Sequence, residues 1–370
     1  MNRKFTLTQW QNRQATLLYY FASLEYLIGL KDRVNNLKKF AEEKLDQSRA
    51  QGRDRFLKNL KWGDRDTTEN WANNAWPFLA DFQASVAQAI ADLPADVYHV
   101  TDANHCLRGM NEFSMQWATT DEENKFSEML AEISRYSSNI DYTMQKRYGV
   151  SWWDDFCLTQ AWTEHAGKFQ QIPKFNVHTD VVSETDKAPP RTGVYVSVDD
   201  PNASLQFAWN GAPGGELLPA STLNDLGLAA LSTVGRRRLW TDQLAMREFV
   251  CANLSHPKLT NDPQFEGPPT PELAPGLVAS NAFTSLSTRW YFVERIEGEY
   301  VLAEGEADPI STESSAENRR FSAGELCTRT GYYFTPASLT SRRQFHTGEV
   351  FPDLDSAYGK TIWQWAAQQE

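Results

Sequence analysis

The stretch LCTRTGYYFTPASLTSRRQFHTGEVFPDLDSAYGKTIWQW, Leu326 to Trp365, decides how the rest of the chain is read. Its run Gly331-Tyr332-Tyr333-Phe334-Thr335 is aromatic and β-favouring, and Pro336 closes it because proline cannot continue a central strand. Tyr358 to Trp365 alternates, with Ile362 and Gln364 on one face and Thr361, Trp363 and Trp365 on the other, the period of a second strand. Gly348, Pro352 and the intervening Asp and Ser residues supply turn chemistry. Earlier in the chain, Arg191-Thr192-Gly193-Val194-Tyr195-Val196 echoes Arg329-Thr330-Gly331-Tyr332-Tyr333-Phe334, and a strand candidate with a tryptophan, Leu205 to Trp209, follows it. The echo is read either as a degenerate internal repeat, 191–209 against 329–365, or as one strand-start device used twice. Gly193 and Gly331 are expected to open strands, where a side chain would collide with neighbouring backbone.

Outward from that stretch, the texture divides. From Leu7 to about Leu45, Trp10, Leu17, Phe21, Leu24, Leu27 and Ile28 recur at three- and four-residue steps, which predicts a helix. A second helix is expected from Trp71 to Ile90, with Pro77 kinking it or marking its start. A third spans Ala103 to Thr119, and a fourth runs from Asp121 towards Gly149, a natural C-cap. Residues 1–150 therefore read as a helical domain with a bundle's short connections. After Pro173 the pattern changes to strands at Phe175–His178, Gly193–Val198 and Leu205–Trp209. Ser221-Thr222 is expected to cap a helix, and a second amphipathic helix follows Trp240. The proline-rich segment His256 to Leu277 reads as loop. Arg289–Val293 and Glu299–Leu302 read as strands joined in a hairpin at Glu297-Gly298. Residues 151–370 thus form an α+β domain with a predominantly antiparallel sheet.

At 370 residues two domains are the prior expectation, and 41% hydrophobic residues can fill a sizeable core. A net charge of −12 opposes broad nucleic-acid binding and permits a basic partner. Thirteen Trp and thirteen Tyr suit a tightly packed globule or an aromatic binding surface. Cys106, Cys157, Cys251 and Cys327 lack CxxC spacing and read as reduced core thiols. The N-terminal MNRKFTLTQWQNRQ has no signal-peptide pattern, and no run of apolar residues is long enough to span a membrane, so a cytoplasmic protein is expected.

Chemistry-bearing residues are few. Glu164, His165, His178 and Asp180 form the one cluster that suggests acid–base work or a metal, with His178 and Asp180 on one strand face. No third ligand has a recognisable spacing, so neither a metal nor a cofactor is assigned. Gly211-Ala212-Pro213-Gly214-Gly215 lacks the Lys-Ser/Thr of a phosphate loop and reads as a strand-to-helix turn. Arg236-Arg237-Arg238, Arg319-Arg320 and Arg342-Arg343 are expected to pair with acids or stack on rings. Between Glu294 and Glu317 there are eight acidic residues against one basic, Arg295. Within that span Glu297, Glu299, Glu304, Glu306 and Asp308 are the candidate binding residues for a basic protein, steering its association.

RTGYYFTP, SRRQF, GEVFPD and TIWQW, with GVYVSVDDPNASLQFAWNG and LGLAALSTVGRRRLW, resemble the large immunity proteins of bacterial polymorphic toxin systems, families seventy-one and seventy-two. The resemblance covers about Trp152 to Trp365, and its motifs are structural rather than catalytic. It implies a cytoplasmic antidote that neutralises one cognate toxin domain by steric occlusion. Two rivals remain open: an enzyme that reverses the toxin's modification or hydrolyses its product, and an adaptor that escorts an effector to its secretion machinery.

Overall fold

The computed structural model describes residues 5–57, 63–144, 151–303, 320–327, 330–335, 338–354 and 361–365. Seven helices come first: α1 (Gln9–Phe21), α2 (Leu24–Ala50), α3 (Thr68–Asn74), α4 (Trp76–Asp92), α5 (Ala103–Met110), α6 (Thr120–Met144) and α7 (Asp155–His165). Among the described residues no strand precedes Gln171. Strands β1 (Gln171–Glu184), β2 (Gly193–Ser197), β3 (Gln206–Ala208) and β4 (Ala220–Leu223) follow. Helices α8 (Asp225–Val234), α9 (Gln243–Ala252), α10 (Pro257–Thr260) and α11 (Ala274–Ala279) lead to β5 (Phe283–Leu286) and β6 (Arg289–Leu302). The last four strands are β7 (Arg320–Ser322), β8 (Gly331–Thr335), β9 (Ser338–Phe345) and β10 (Ile362–Trp365). The fold is α+β, and all its strand pairs are antiparallel.

Local side-chain chemistry sets several boundaries that periodicity does not. The long N-terminal helix is broken at Ala22-Ser23, because the Ser23 hydroxyl accepts the Tyr26 amide at 3.2 Å and starts α2. Thr8 and Gln11 close a reciprocal capping box on α1. Pro77 sits in the first turn of α4, where its missing N–H costs nothing, so it marks a start and not a kink. The third helix stops at Met110, short of Thr119, and Thr119 with Glu122 caps α6. Ser221-Thr222 does not cap a helix: these residues pair with β5, and Asn224 caps α8 through the Leu226 and Gly227 amides. The proline-rich segment holds two short helices, each with a proline in its first turn. Gly211–Gly215 joins β3 to β4, a strand-to-strand connection.

The chain divides into two compact units at Ala303/Glu304, whereas the change of texture in the sequence comes near residue 150. In the first unit one core joins the helices to the sheet: Leu17, Phe21, Trp117 and Trp153 pack in one cluster with Val194, Val196, Phe207 and Val293. Every residue of β2 is buried, because helices cover one sheet face and Tyr195, Leu217, Trp290 and Phe292 pack on the other. Helices α8, α9 and α11 hold a satellite core around Met246, Phe249 and Trp240. The second unit has its own small core of Phe321, Cys327, Tyr333, Phe345, Phe351 and Trp363.

One sheet plan occurs twice. In the first unit the order is β1-β6-β2-β3 and in the second β7-β10-β8-β9, so each sheet places its strands first, fourth, second, third. Gly193 and Gly331 each open the second strand. Two residues on, Tyr195 lies opposite Phe292 of the fourth strand, and Tyr333 opposite Trp365. The fourth strands share a further pattern, Thr288-x-Trp290-x-Phe292 and Thr361-x-Trp363-x-Trp365, in which both threonines and both Trp290 and Trp363 are buried. Thr288 and Thr361 each donate to an aspartate, Asp199 at 3.0 Å and Asp353 at 2.9 Å. Before each fourth strand, Gly215-Glu216-Leu217-Leu218-Pro219 and Gly348-Glu349-Val350-Phe351-Pro352 hydrogen-bond to the segment that follows the first strand. Leu217 bonds Asp186 and Lys187, while Glu349 and Phe351 bond Cys327, Glu325 and Gly324.

Beneath the helices and the first sheet lies a buried ion pair. Asp155 is 1% exposed and receives both guanidinium nitrogens of Arg236, the Trp240 indole at 2.8 Å, the Trp10 indole and the Gln14 amide. The Arg236 guanidinium also lies 4.5 Å from the Trp10 ring centroid, and Arg238 pairs with Asp242. Arg342 and Arg343 stack on Tyr332, Phe345 and Trp363. The contacts of Arg236, Arg238, Arg342 and Arg343 match the expected fate of the arginine clusters, while Arg319 lies outside the described residues. Of the four free cysteines, Cys106 and Cys327 are buried and Cys157 half-buried, but Cys251 is exposed and is not a core thiol.

Replacing one member of a buried pair strands the other in a medium that does not solvate it. Asp155→Asn is therefore expected to lower unfolding stability by about 3–5 kcal/mol, measured by denaturant unfolding, with Arg236→Met added to the variant recovering part of the loss. A second expectation concerns pH. Burial pushes the Asp141 carboxyl up to about 6, against the opposing hydrogen bonds from the Thr101 amide and hydroxyl, and Asp102 adds to the rise. The folded chain then holds a proton that the unfolded chain has released, so stability present near pH 4 is lost as pH rises through about 6. Asp141→Asn should flatten that part of the stability–pH curve.

Candidate functional site

The acidic candidates fall on the far end of β6. Strand β2 pairs with β6 only from Trp290 to Val293, while β1 accompanies it from Arg289 to Leu302. Residues 294–302 and 171–176 therefore continue past the sheet as a two-stranded arm. Glu297-Gly298 is not the tip of a hairpin. Gly298 has φ +76°, and the register steps from Lys174↔Ile296 to Pro173↔Tyr300, so Glu297, Gly298 and Glu299 form a bulge in one continuous strand. Two residues impose this: Pro173 has no N–H to give the ladder, and a glycine takes the left-handed backbone without a Cβ penalty.

Beyond the bulge the two faces of the arm differ. Ile172 is buried there, and on the sheet side of the bulge Phe175 and Val177 pack against the helical core. Tyr19 of α1 stacks on Phe175 at 6.0 Å and donates its hydroxyl to the Val293 carbonyl at 2.5 Å. Tyr300 and Leu302, which alternate with the Val301 that lies opposite Ile172, are 61% and 65% exposed, and Val301 is 44% exposed. Glu299 forms an ion pair with Lys174 at 2.7 Å, and Glu297 is exposed. Glu304, Glu306 and Asp308 lie outside the described residues. The acids alone were legible in the sequence. The adjoining Tyr300 and Leu302 were legible only as strand residues, because alternation alone does not say which face of a strand meets solvent.

The histidine cluster is divided. His165 bonds the Ala161 carbonyl through Nδ1 at 2.9 Å and sets its ring against Tyr20 and Phe21. His178 has other neighbours: Nε2 lies 2.7 Å from Glu294, Nδ1 3.7 Å from Asp180, and the ring rests on Phe292. Glu294 was not foreseen because its proximity depends on cross-strand register, Asn176 lying opposite it. A histidine between two carboxylates can carry a proton or close an ion pair. Among the described residues no group of three or more His, Cys, Asp or Glu is arranged to hold a metal ion.

Compared with protein-family models, with curated proteins and with solved structures, the chain matches none significantly. Among the described residues no helix is long and apolar enough to cross a membrane.

The root of the arm turns on Gly193. At φ +150°, a Cβ there would lie 2.6 Å from the Tyr19 hydroxyl and 2.7 Å from Phe292, so the obstruction is two side chains and not neighbouring backbone. Gly193→Ala is expected to displace both rings and to cost about 1–3 kcal/mol, the usual penalty for overpacking. Denaturant unfolding of the variant, with near-ultraviolet circular dichroism following the tyrosine environment, checks it.

Proposed function

We propose that the chain is a cytoplasmic immunity protein that binds a cognate toxin domain through the β1–β6 arm and inactivates it by steric occlusion. The observation that supports this reading is the juxtaposition on the arm of exposed Tyr300 and Leu302 with the exposed acids Glu297 and Glu299. Affinity in such interfaces comes from a few large side chains that become fully desolvated, whereas rim charges set the encounter rate. A tyrosine and a leucine on a two-stranded ribbon, preceded along the strand by two exposed carboxylates, suit a basic protein surface with an apolar recess. Among the described residues the outer edge of β1 has no neighbouring strand in its sheet, which gives a partner backbone groups to pair with as well. The resemblance of RTGYYFTP and TIWQW to toxin-immunity proteins points the same way, as does the net charge of −12.

The test is binding to the toxin domain encoded beside this chain, followed kinetically across a salt series. Tyr300→Ala with Leu302→Ala should raise the dissociation rate tenfold or more, about 1.4 kcal/mol or above. Glu297→Gln with Glu299→Gln should slow association severalfold and flatten its salt dependence, leaving dissociation nearly unchanged. Glu299 is expected to contribute less than Glu297, since Lys174 already neutralises it. Protection of the toxin's target should saturate at one antidote per toxin. Protection at far lower ratios would replace occlusion with enzymatic reversal, centred on His178 and Glu294. Unchanged kinetics in both double variants would move the interface off the arm.

A further inference from the structure

A cavity of about 570 Å³ opens at the other side of Gly193, where the α1–α2 turn, the Leu93–Tyr98 turn, the start of β2 and Arg295 of β6 meet. It falls within the usual volume of small-molecule sites, roughly 300–1,000 Å³. Its charge is opposite to that of the chain as a whole. Arg191 and Arg295 line it, and Asp96 is the one carboxylate among the lining residues. Neither arginine has an acidic partner among the described residues. Each guanidinium instead lies beside an aromatic ring, Arg295 at 5.9 Å from Tyr19 and Arg191 at 5.6 Å from Phe292. Those two rings both approach Gly193, from the two faces of the sheet, and both arginines border the one cavity.

The wall is also fixed in advance. The Tyr195 hydroxyl accepts the Arg191 amide at 3.2 Å and donates to the Arg191 carbonyl at 2.6 Å, which locks the backbone that carries this arginine. Thr192 and Asn210 satisfy one another, and Asn210 donates to the Pro190 carbonyl, so the rim keeps its shape without a ligand. Tyr98 contributes a hydroxyl with no partner among the described residues, on a ring held against Phe207 and Trp209. Burial, with the charge of Asp96, pushes that phenol up to about 12, so it stays protonated and is a donor at neutral pH.

We infer that this cavity binds a phosphate monoester of nucleotide size, with its phosphate held between Arg191 and Arg295 and within reach of the Tyr98 hydroxyl. Two guanidiniums balance the two charges of a phosphate monoester and offer forked donors to its three oxygens, more than one carboxylate can use. The remaining volume, bordered by the rings of Tyr98 and Phe207, suits the sugar and base. The site takes Arg295 from the root of the arm but none of Glu297, Glu299, Tyr300 or Leu302, and it does not depend on the toxin-binding reading.

Calorimetric titration of the full chain with the four ribonucleoside 5′-monophosphates, their nucleosides and inorganic phosphate tests it. At least one monophosphate should bind, its nucleoside should bind at least tenfold more weakly, and inorganic phosphate should compete. Arg295→Gln and Arg191→Gln should each weaken binding about tenfold or more, and Tyr98→Phe, which removes one oxygen and leaves the packing, by a smaller factor of several-fold. Circular dichroism and thermal unfolding of each variant separate a lost contact from a lost fold. No binding by any monophosphate overturns the inference. So does nucleoside binding as tight as the monophosphate's, or unchanged affinity in folded Arg295→Gln and Tyr98→Phe.

Discussion

The first unit depends on the pairing of Asp155 with Arg236. A carboxylate with 1% exposure is tolerable only when its lone pairs are filled, and here five donor atoms from four side chains fill them. Those donors come from α1, from the turn after α8 and from the approach to α9, so one charge ties the start of the chain to its middle. Trp240 shows what the arrangement requires locally. It has φ +69°, an uncommon conformation for a bulky residue, and it is held there by its bond to Asp155 and by ring contacts with Phe156 and Phe283. The satellite helices are fastened to the main core through this residue.

Much of the fold could be read from the chain because burial writes itself as periodicity. The helical stripe through Trp10, Leu17 and Phe21, and the strand signature of Gly331 to Thr335, survive in the structure unaltered. What could not be read are features that depend on a single side chain meeting a distant or local partner. Ser23 breaks a stripe that is apolar on both sides of it. Ser221 and Thr222 have the chemistry of a cap, yet they pair with β5 because Asn224, three residues after Ser221, caps better. The twofold sheet plan was half visible. The six-residue echo at Arg191 and Arg329 was legible, but the Thr-x-Trp and Gly-Glu-x-x-Pro correspondences become noticeable only once register aligns the strands.

The candidate surface shows the same division. Charge is a property of composition, so the acids of β6 were found directly. The meaning of Tyr300 and Leu302 depends on which way the strand faces, and Gly298 makes a bulge where a turn was expected, so the strand runs on along β1. Likewise His178 was singled out with Asp180, its neighbour in sequence, while Glu294, its nearer carboxylate in space, is 116 positions away. Glycine carries two opposite roles in this chain: at 298 it permits a backbone shape, and at 193 it leaves room for two rings.

The recurring sheet plan has a consequence for how such a chain can diversify. Between its third and fourth strands the second unit needs only the segment from His346 to Thr361. The first unit fills the same interval, Trp209 to Thr288, with two further strands and four helices that bring their own hydrophobic cluster. The junction thus accepts a large graft without disturbing which strands lie side by side. The strand plan acts as a chassis, and this one connection is where mass can be added or removed at little cost to the rest. That connection, and the arm beyond the sheet, can change in length while Thr288, Trp290 and their counterparts Thr361 and Trp363 keep the fourth strand in its place.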